Sequence, residues 1–248
     1  MVEQTQFDEP QGDAKRARTT MASSVYDQIR LDILTGDLRP GEKLRSEYLR
    51  ARYQAGISPV REALNRLATE RLVCHEDQRG FHVAGVSKAE LIELTKTRCW
   101  LEEIALRESF ERGDEAWEEQ IVLTFHRLSR TPRSLDESGY AFNAKWEGLH
   151  SDFHNALITS CDSHWLLGFC QQLVHQVDRY RQLTAAVSYP KRNERDEHQA
   201  LMEAAIKRDA NAAAAIQCSH IRKTADIVLD ANLSFLPDKI DPVDRGHR

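Results

Sequence analysis

The chain has 248 residues, 41% of them apolar and 29% charged, with a formal net charge of −5. That length is comfortable for two domains, and no apolar run approaches the roughly eighteen residues that would span a membrane. The first stretch, "MVEQTQFDEPQGDAKRARTT", carries acids and no apolar centre, so residues 1–20 read as a disordered tail and not as a secretory signal.

Residues 23–35, "SSVYDQIRLDILT", set Val25, Ile29 and Ile33 at helical spacing behind a serine cap, and Gly36 ends the helix. "GDLRPGEKL" is a turn-rich connector. Ser46 is expected to cap a short helix with Leu49 and Tyr53 inward, and Gly56 supplies the next turn. Ser58 then fits an N-cap and Pro59 the first position of a third helix that buries Leu64 and Leu67. Two short helices across a tight glycine turn form the helix-turn-helix pattern. "LVCHE", "DQRG" and "FHVAGV" read as a hairpin, or wing, which closes a winged helix-turn-helix over residues 21–86.

The acidic total conceals a local reversal. Arg39, Lys43, Arg45, Arg50, Arg52, Arg61, Arg66 and Arg71 face only Glu42, Glu47, Glu62 and Glu70, an excess of four positive charges. A basic patch on an acidic molecule fits DNA binding through one face. At the start of the third helix, Arg61 suits a guanine edge or a phosphate, and Ser58 a phosphate or sugar. Pro59 lies in the same turn, Arg45 and Arg50 flank the preceding helix for backbone contact, and Gly80 belongs to the wing. The bland alternative makes Arg61 and Glu62 solvated residues of an ordinary helical hairpin.

"SKAE" at 87–90 is a capping-box pattern, and the chain after it reads as helical. Helices are predicted near 88–112, 115–130, 138–160, 163–186, 192–208 and 210–232, an all-α bundle over 87–232 followed by a proline-rich tail at 233–248. Trp100, Trp117, Trp146 and Trp165 sit at spacings that read as core. Cys74, Cys99, Cys161, Cys170 and Cys218 form no C-x-x-C pair and read as reduced, buried cysteines of a cytoplasmic protein.

His150 and His154 are four residues apart and project from one helical face, and His198 and His220 lie on stripes that point inward. Imidazole is a good ligand for a divalent transition metal, but any one inward histidine is more often a core or pocket residue than a ligand. His75, His82, His126, His164 and His175 read as surface, wing or pocket residues. No phosphate loop, nucleophile elbow or Ser/His/Asp arrangement is present, and nothing argues for catalysis.

The run "GDLRPGEKLRSEYLRARYQAGISPVREALNRLATERLV", with "QRGFHV" after it, resembles the DNA-binding domain of GntR-family bacterial transcription regulators over residues 21–86. Many relatives carry Ser-Arg where this chain has Gly56-Ile57, so one base-reading arginine is missing. "TRCWLEEIA", "LHSDFHNAL", "EHQALMEAAIKRDANAA" and "SH" resemble the FCD effector domain of the FadR subfamily over 88–232. That resemblance implies a divalent metal held by His154, His198 and His220, with His150 standing where most relatives have Asp. Losing that negative charge favours Zn²⁺ or Ni²⁺ over Mn²⁺ or Mg²⁺. Asp152, two residues on, would face elsewhere.

The resemblance further implies that Arg98 faces a small carboxylate effector, where it would pair with the second carboxylate of a dicarboxylic acid; its alternative is an i, i+4 pair with Glu102. Arg179, Arg181 and Asn193 are further candidates for the effector pocket. The implied protein is a cytoplasmic homodimeric regulator, a repressor, reading a palindromic double-stranded operator. "ARYQAGISPVREAL" with His in place of Asp resembles a subgroup acting on glutarate and related carbon-starvation pathways. The alternatives are a metalloenzyme with an accessory winged domain and a regulator that holds no metal.

Overall fold

The computed structural model describes residues 20–189, 193–231 and 236–239. The tail expected at 1–20 lies outside the described residues but for Thr20; of the tail expected at 233–248, residues 236–239 are described and docked, with Leu236 buried and Pro237 O and Asp238 O accepting from Lys88 and Ala89 N–H. Among the described residues the chain is mainly helical with one two-stranded sheet, in the order α1 (Met21–Thr35), α2 (Ser46–Arg52), α3 (Ile57–Thr69), β1 (Val73–Glu76), β2 (Gly80–Val83), α4 (Lys88–Arg112), α5 (Glu115–Ser129), α6 (Ala144–Ile158), α7 (His164–Ser188), α8 (Glu194–Ile206) and α9 (Ala210–Asp230).

The first three helices bury Val25, Ile29, Leu49, Leu64 and Leu67 in one core with Val73 and Val83 of the wing. Each such side chain stabilises the head by roughly 1.5–3 kcal/mol through burial. Gly36 ends α1 at φ +84°, the left-handed conformation glycine adopts without strain. The strands pair antiparallel, Val73 opposite Val83 and Glu76 opposite Gly80, and the connector joins them: Leu44 N–H donates to Phe81 O at 2.8 Å, and Val83 N–H to Glu42 O at 2.8 Å.

Local details differ from expectation. The cap of α1 is Thr20, whose hydroxyl accepts from Ser23 N–H. Arg45 and Gly56 hold the cap positions of α2 and α3, and neither makes a side-chain cap bond. Ser46 is thus the first residue of α2 rather than its cap. Ser58 and Pro59 lie inside the first turn of α3, where proline is still tolerated because the early N–H groups have no intrahelical acceptor. Helix α6 begins at residue 144, not 138. The Ser134 hydroxyl gathers Asp136, Gly139 and Ala141 into a loop, and Asn143 caps the helix from Lys145 and Trp146 N–H.

The bundle packs α4 on α9 and α5 on α6 and α8, around Leu106, Trp117, Ile121, Phe153, Leu157 and Leu201. Trp117 and Trp146 are buried, but Trp100 and Trp165 are exposed at 56% and 68%, a correction to the core reading. Their spacing continues a helical stripe, yet among the described residues nothing covers them. Cys99, Cys161 and Cys170 are buried, whereas Cys74 and Cys218 are only half-buried; all five are free thiols.

Head and bundle meet along α7. Gln176 donates to Glu70 O, and the buried Arg179 guanidinium donates to Ala84 O at 3.1 Å and Gly85 O at 3.4 Å. Tyr180 inserts into the cap of α4. Ser87 Oγ accepts from Glu90 N–H as a capping box requires, but Ser87 N–H donates to the Tyr180 hydroxyl, which in turn donates to the Glu90 carboxylate. A local motif is thereby closed by a residue some ninety positions away. No helix among the described residues is long and apolar enough to cross a membrane.

Candidate metal centre and DNA-reading face

Helix α6 presents His150 and His154 one turn apart, α8 presents His198 and α9 His220. One ring nitrogen from each lies within 4.8 Å of the other three. His154 Nε2 and His198 Nε2 are 3.2 Å apart. Nitrogen ligands about 2.1 Å from one ion sit about 3.0–3.4 Å from their cis neighbours, so this spacing fits a shared cation. His154, His198 and His220 are buried and His150 half-buried. Asp152 is exposed, as its position two residues on requires.

The donor set is electronically ready. Burial, followed by the neighbouring imidazoles, pushes His150 and His154 well below the ordinary histidine range, with Arg181 adding to both and Arg98 to His154. Both rings are neutral at physiological pH and keep a lone pair for a metal. Surrounding groups fix the rings. Glu197 Oε2 faces His220 Nδ1 at 2.8 Å, Gln217 Nε2 lies 3.2 Å from His154 Nδ1, and Trp146 stacks on His150 with centroids 4.8 Å apart and planes 17° apart. Gln217 also donates to Glu102, which accepts from Arg98 Nε, making one chain of polar contacts from α4 through α9 to the histidines.

Sequence reasoning passed over these supports. Trp146 lies four residues before His150 and Gln217 three before His220, so helical spacing alone was a usable signal. Glu197 adjoins His198 yet serves His220 on another helix, which no local pattern reveals.

A cavity of about 270 Å³ opens beside the cluster, with His198, Trp146, Arg133, Tyr189, Asn193 and Arg195 in its wall. Asn193 lines this cavity; it is exposed, and its amide donates to Asp196 at 2.6 Å. Arg98 and Arg181 are not in that wall. Arg98 is buried against Glu102, and Arg181 pairs with Glu147 on α6 and with Asp178. Arg179 is committed to the linker carbonyls.

In the head, Arg45 before α2, Arg50 in its last turn, and Ser58 and Arg61 at the start of α3 are exposed, and Pro59 is half-buried. Arg50 pairs with Glu47 at 3.1 Å in solvent, a contact a phosphate can displace. Gly80 starts β2 at φ +82°, where a side chain would be strained, so its role in the wing is conformational. Ile57, the first residue of α3, is exposed.

Residues 21–83 match the family described as bacterial regulatory proteins, gntR family, and residues 93–223 match the FCD domain. The chain is 39% identical over 210 residues to the uncharacterized HTH-type transcriptional regulator BphR of Paraburkholderia xenovorans (strain LB400), covering 84% of this chain and 85% of that one. It is 32% identical over 210 residues to the HTH-type transcriptional repressor GlaR of Escherichia coli (strain K12), covering 83% and 94%. Among solved structures, Escherichia coli McbR/YncC superposes with a TM-score of 0.67 at 19% identity over 85% of this chain and 98% of that one, a likeness of fold.

Proposed function

Because the chain belongs to the GntR family of bacterial regulatory proteins and carries an FCD domain, we propose that it is a metal-dependent repressor released or recruited by a small carboxylic acid. The coarser part needs no proposal: it is a DNA-binding transcriptional regulator and not an enzyme, and its relatives bear regulator names. The observation that carries the finer part is the four-histidine cluster with its ring nitrogens inside 4.8 Å.

A bound Zn²⁺ or Ni²⁺ would supply an electrophilic centre for one carboxylate. His150, His154, His198 and His220 would hold it, Glu197 and Gln217 would orient the rings, and the adjacent cavity would admit the acid. Arg181 ties α7 to Glu147 on the helix that carries His150 and His154, while Gln176, Arg179 and Tyr180 tie the same α7 to the head and linker. A shift of α6 on acid binding thus has a rigid route to the DNA-reading helix. Coupling of this kind amounts to about 1–3 kcal/mol. Two copies would present two heads to a palindromic operator in the cytoplasm, Arg45, Arg50, Ser58 and Arg61 meeting backbone and base edges.

The test measures metal content and binding to a duplex from upstream of the protein's own gene, with and without chelator. His154→Ala is expected to lose the metal and the response to acids while keeping salt-sensitive DNA binding. Unchanged metal stoichiometry in that variant would instead favour histidines that only bond one another, as His154 and His198 do at 3.2 Å.

A further inference from the structure

Helix α4 begins where the head ends, and its first turn is capped from more than one place. The first N–H groups of any helix have no intrahelical acceptor. Ser87 supplies the local cap, its Oγ accepting from Glu90 N–H. The Lys88 and Ala89 N–H groups are met by the far end of the chain: they donate to Pro237 O at 2.9 Å and to Asp238 O at 3.1 Å. Pro237 offers the helix an acceptor and has no N–H of its own to satisfy. Leu236, 4% exposed, anchors the segment in a small core with Val86, Leu91, Tyr180 and, from α9, Ala225 and Val228. Asp238 reaches Lys88 Nζ at 3.0 Å and brings a negative charge to the positive end of α4, while its side chain stays largely in solvent.

All of this meets at the linker, residues 84–87. At its head end, Ala84 N–H donates to Leu72 O, and Arg179 of α7 donates to Ala84 O and Gly85 O. At its α4 end the C-terminal segment holds it. We propose that Leu236–Asp238 is a detachable clasp on the linker, and that the closed clasp fixes the orientation of the head on the bundle and so strengthens DNA binding. One buried leucine, two main-chain bonds and one exposed ion pair hold the clasp, so it parts without unfolding a helix; segments with so few buried contacts lie at the low end of local stability. Parting uncovers Val86 and returns two helix-start N–H groups to water at the point where head and bundle are joined in the chain. The clasp also follows from α9, the helix that carries Gln217 and His220, so a displacement of α9 reaches the linker directly as well as through α7. The inference stands on the linker contacts and does not depend on a bound metal.

The experiment compares the native full-length chain with Leu236→Asp, which keeps the length and removes the apolar anchor, and with Leu236→Met, which retains it. Nitrogen-15 relaxation reads the tumbling of head and bundle separately, hydrogen exchange reads the Lys88 and Ala89 amides, and a gel-shift titration reads affinity for a duplex from upstream of the protein's own gene. Head and bundle of the native chain are expected to share one correlation time. In Leu236→Asp the two amides are expected to exchange about tenfold faster, the head to tumble faster than the bundle, and DNA affinity to fall about tenfold, within the range of ordinary coupling between sites. Leu236→Met is expected to match the native chain on all three. A head that still tumbles with the bundle in Leu236→Asp overturns the proposal, whatever the amides do, because the segment would then be a helix cap and nothing more. A loosened head with native DNA affinity overturns it equally, since the clasp would not bear on DNA binding. If Leu236→Asp fails to fold, Asp238→Lys decides: it alters one solvent-exposed side chain, and is expected to move the same three readouts in the same direction by about threefold. Native values in that variant overturn the proposal.

Discussion

If the four histidines hold a metal as proposed, replacing Glu197 by glutamine isolates how much a supporting carboxylate contributes to its affinity. In the native chain Glu197 Oε2 meets His220 Nδ1 at 2.8 Å and Oε1 meets Lys223 Nζ at 3.0 Å. The first contact holds Nδ1–H toward the carboxylate, so the other ring nitrogen is the one a metal would take, and the carboxylate would fix the ring's orientation for it. Glutamine keeps the shape and an acceptor but removes the charge. Losing such a partner typically costs tenfold to a hundredfold in metal affinity, about 1.4–2.8 kcal/mol. The Lys223 pair is partly in solvent, with 56% of the lysine side chain exposed, so its own loss costs at most about 1 kcal/mol. The two effects therefore separate. Glu197→Gln is expected to shift the Zn²⁺ dissociation constant by one to two decades in a competition titration against a chelating dye. The melting temperature of the metal-free protein should scarcely move. Zinc affinity within twofold of the native value would refute the reasoning, because His220 would then not be a ligand oriented by this carboxylate.

Arg61→Ala is expected to leave the fold intact and weaken operator binding, with the salt slope falling by about one if the contact is to phosphate; an unchanged affinity in a gel-shift titration would remove Arg61 from the reading face. Arg179→Met deletes the buried guanidinium that donates to Ala84 O and Gly85 O, and should lower the urea midpoint by the equivalent of about 1.5–3 kcal/mol at constant m. An unaltered midpoint would show that the linker is held without it. His150 and His154 are held neutral in the fold by burial, well below the value of about 6.5 that they regain on unfolding. The unfolded chain therefore binds more protons, and their contribution is full above about pH 6.5 and lost as pH falls toward the folded values. Metal-free protein should lose stability by up to about 1.4 kcal/mol per pH unit per histidine on going from pH 7 toward 5. A double variant His150→Gln/His154→Gln with the same pH profile as the native chain would contradict this. Burial pushes the Cys170 thiol up to about 12, so it should resist alkylation at pH 8 until the protein is unfolded.

Periodicity and punctuation alone determined much of this molecule. Gly36, Gly113 and Asp209 mark helix boundaries where expected, the Val/Ile/Leu stripes of α1 and α3 are the head core, and the two-strand wing follows from "LVCHE" and "FHVAGV". The histidines were legible for the same reason, since helical spacing aims a side chain inward without reference to any partner. Only the tertiary structure decided what those side chains meet. Trp100 and Trp165 continue an apolar rhythm yet face outward, because burial depends on whether another helix arrives. Glu197 serves a histidine on the next helix, Tyr180 completes a cap on α4, and Arg98 is turned into a polar chain through Glu102 and Gln217 instead of the cavity wall. Arg133, in a loop with no period to read, comes to the cavity only because α6 and α8 close around it. Periodicity assigns a side chain to a face; long-range packing alone determines which groups share the space in front of it.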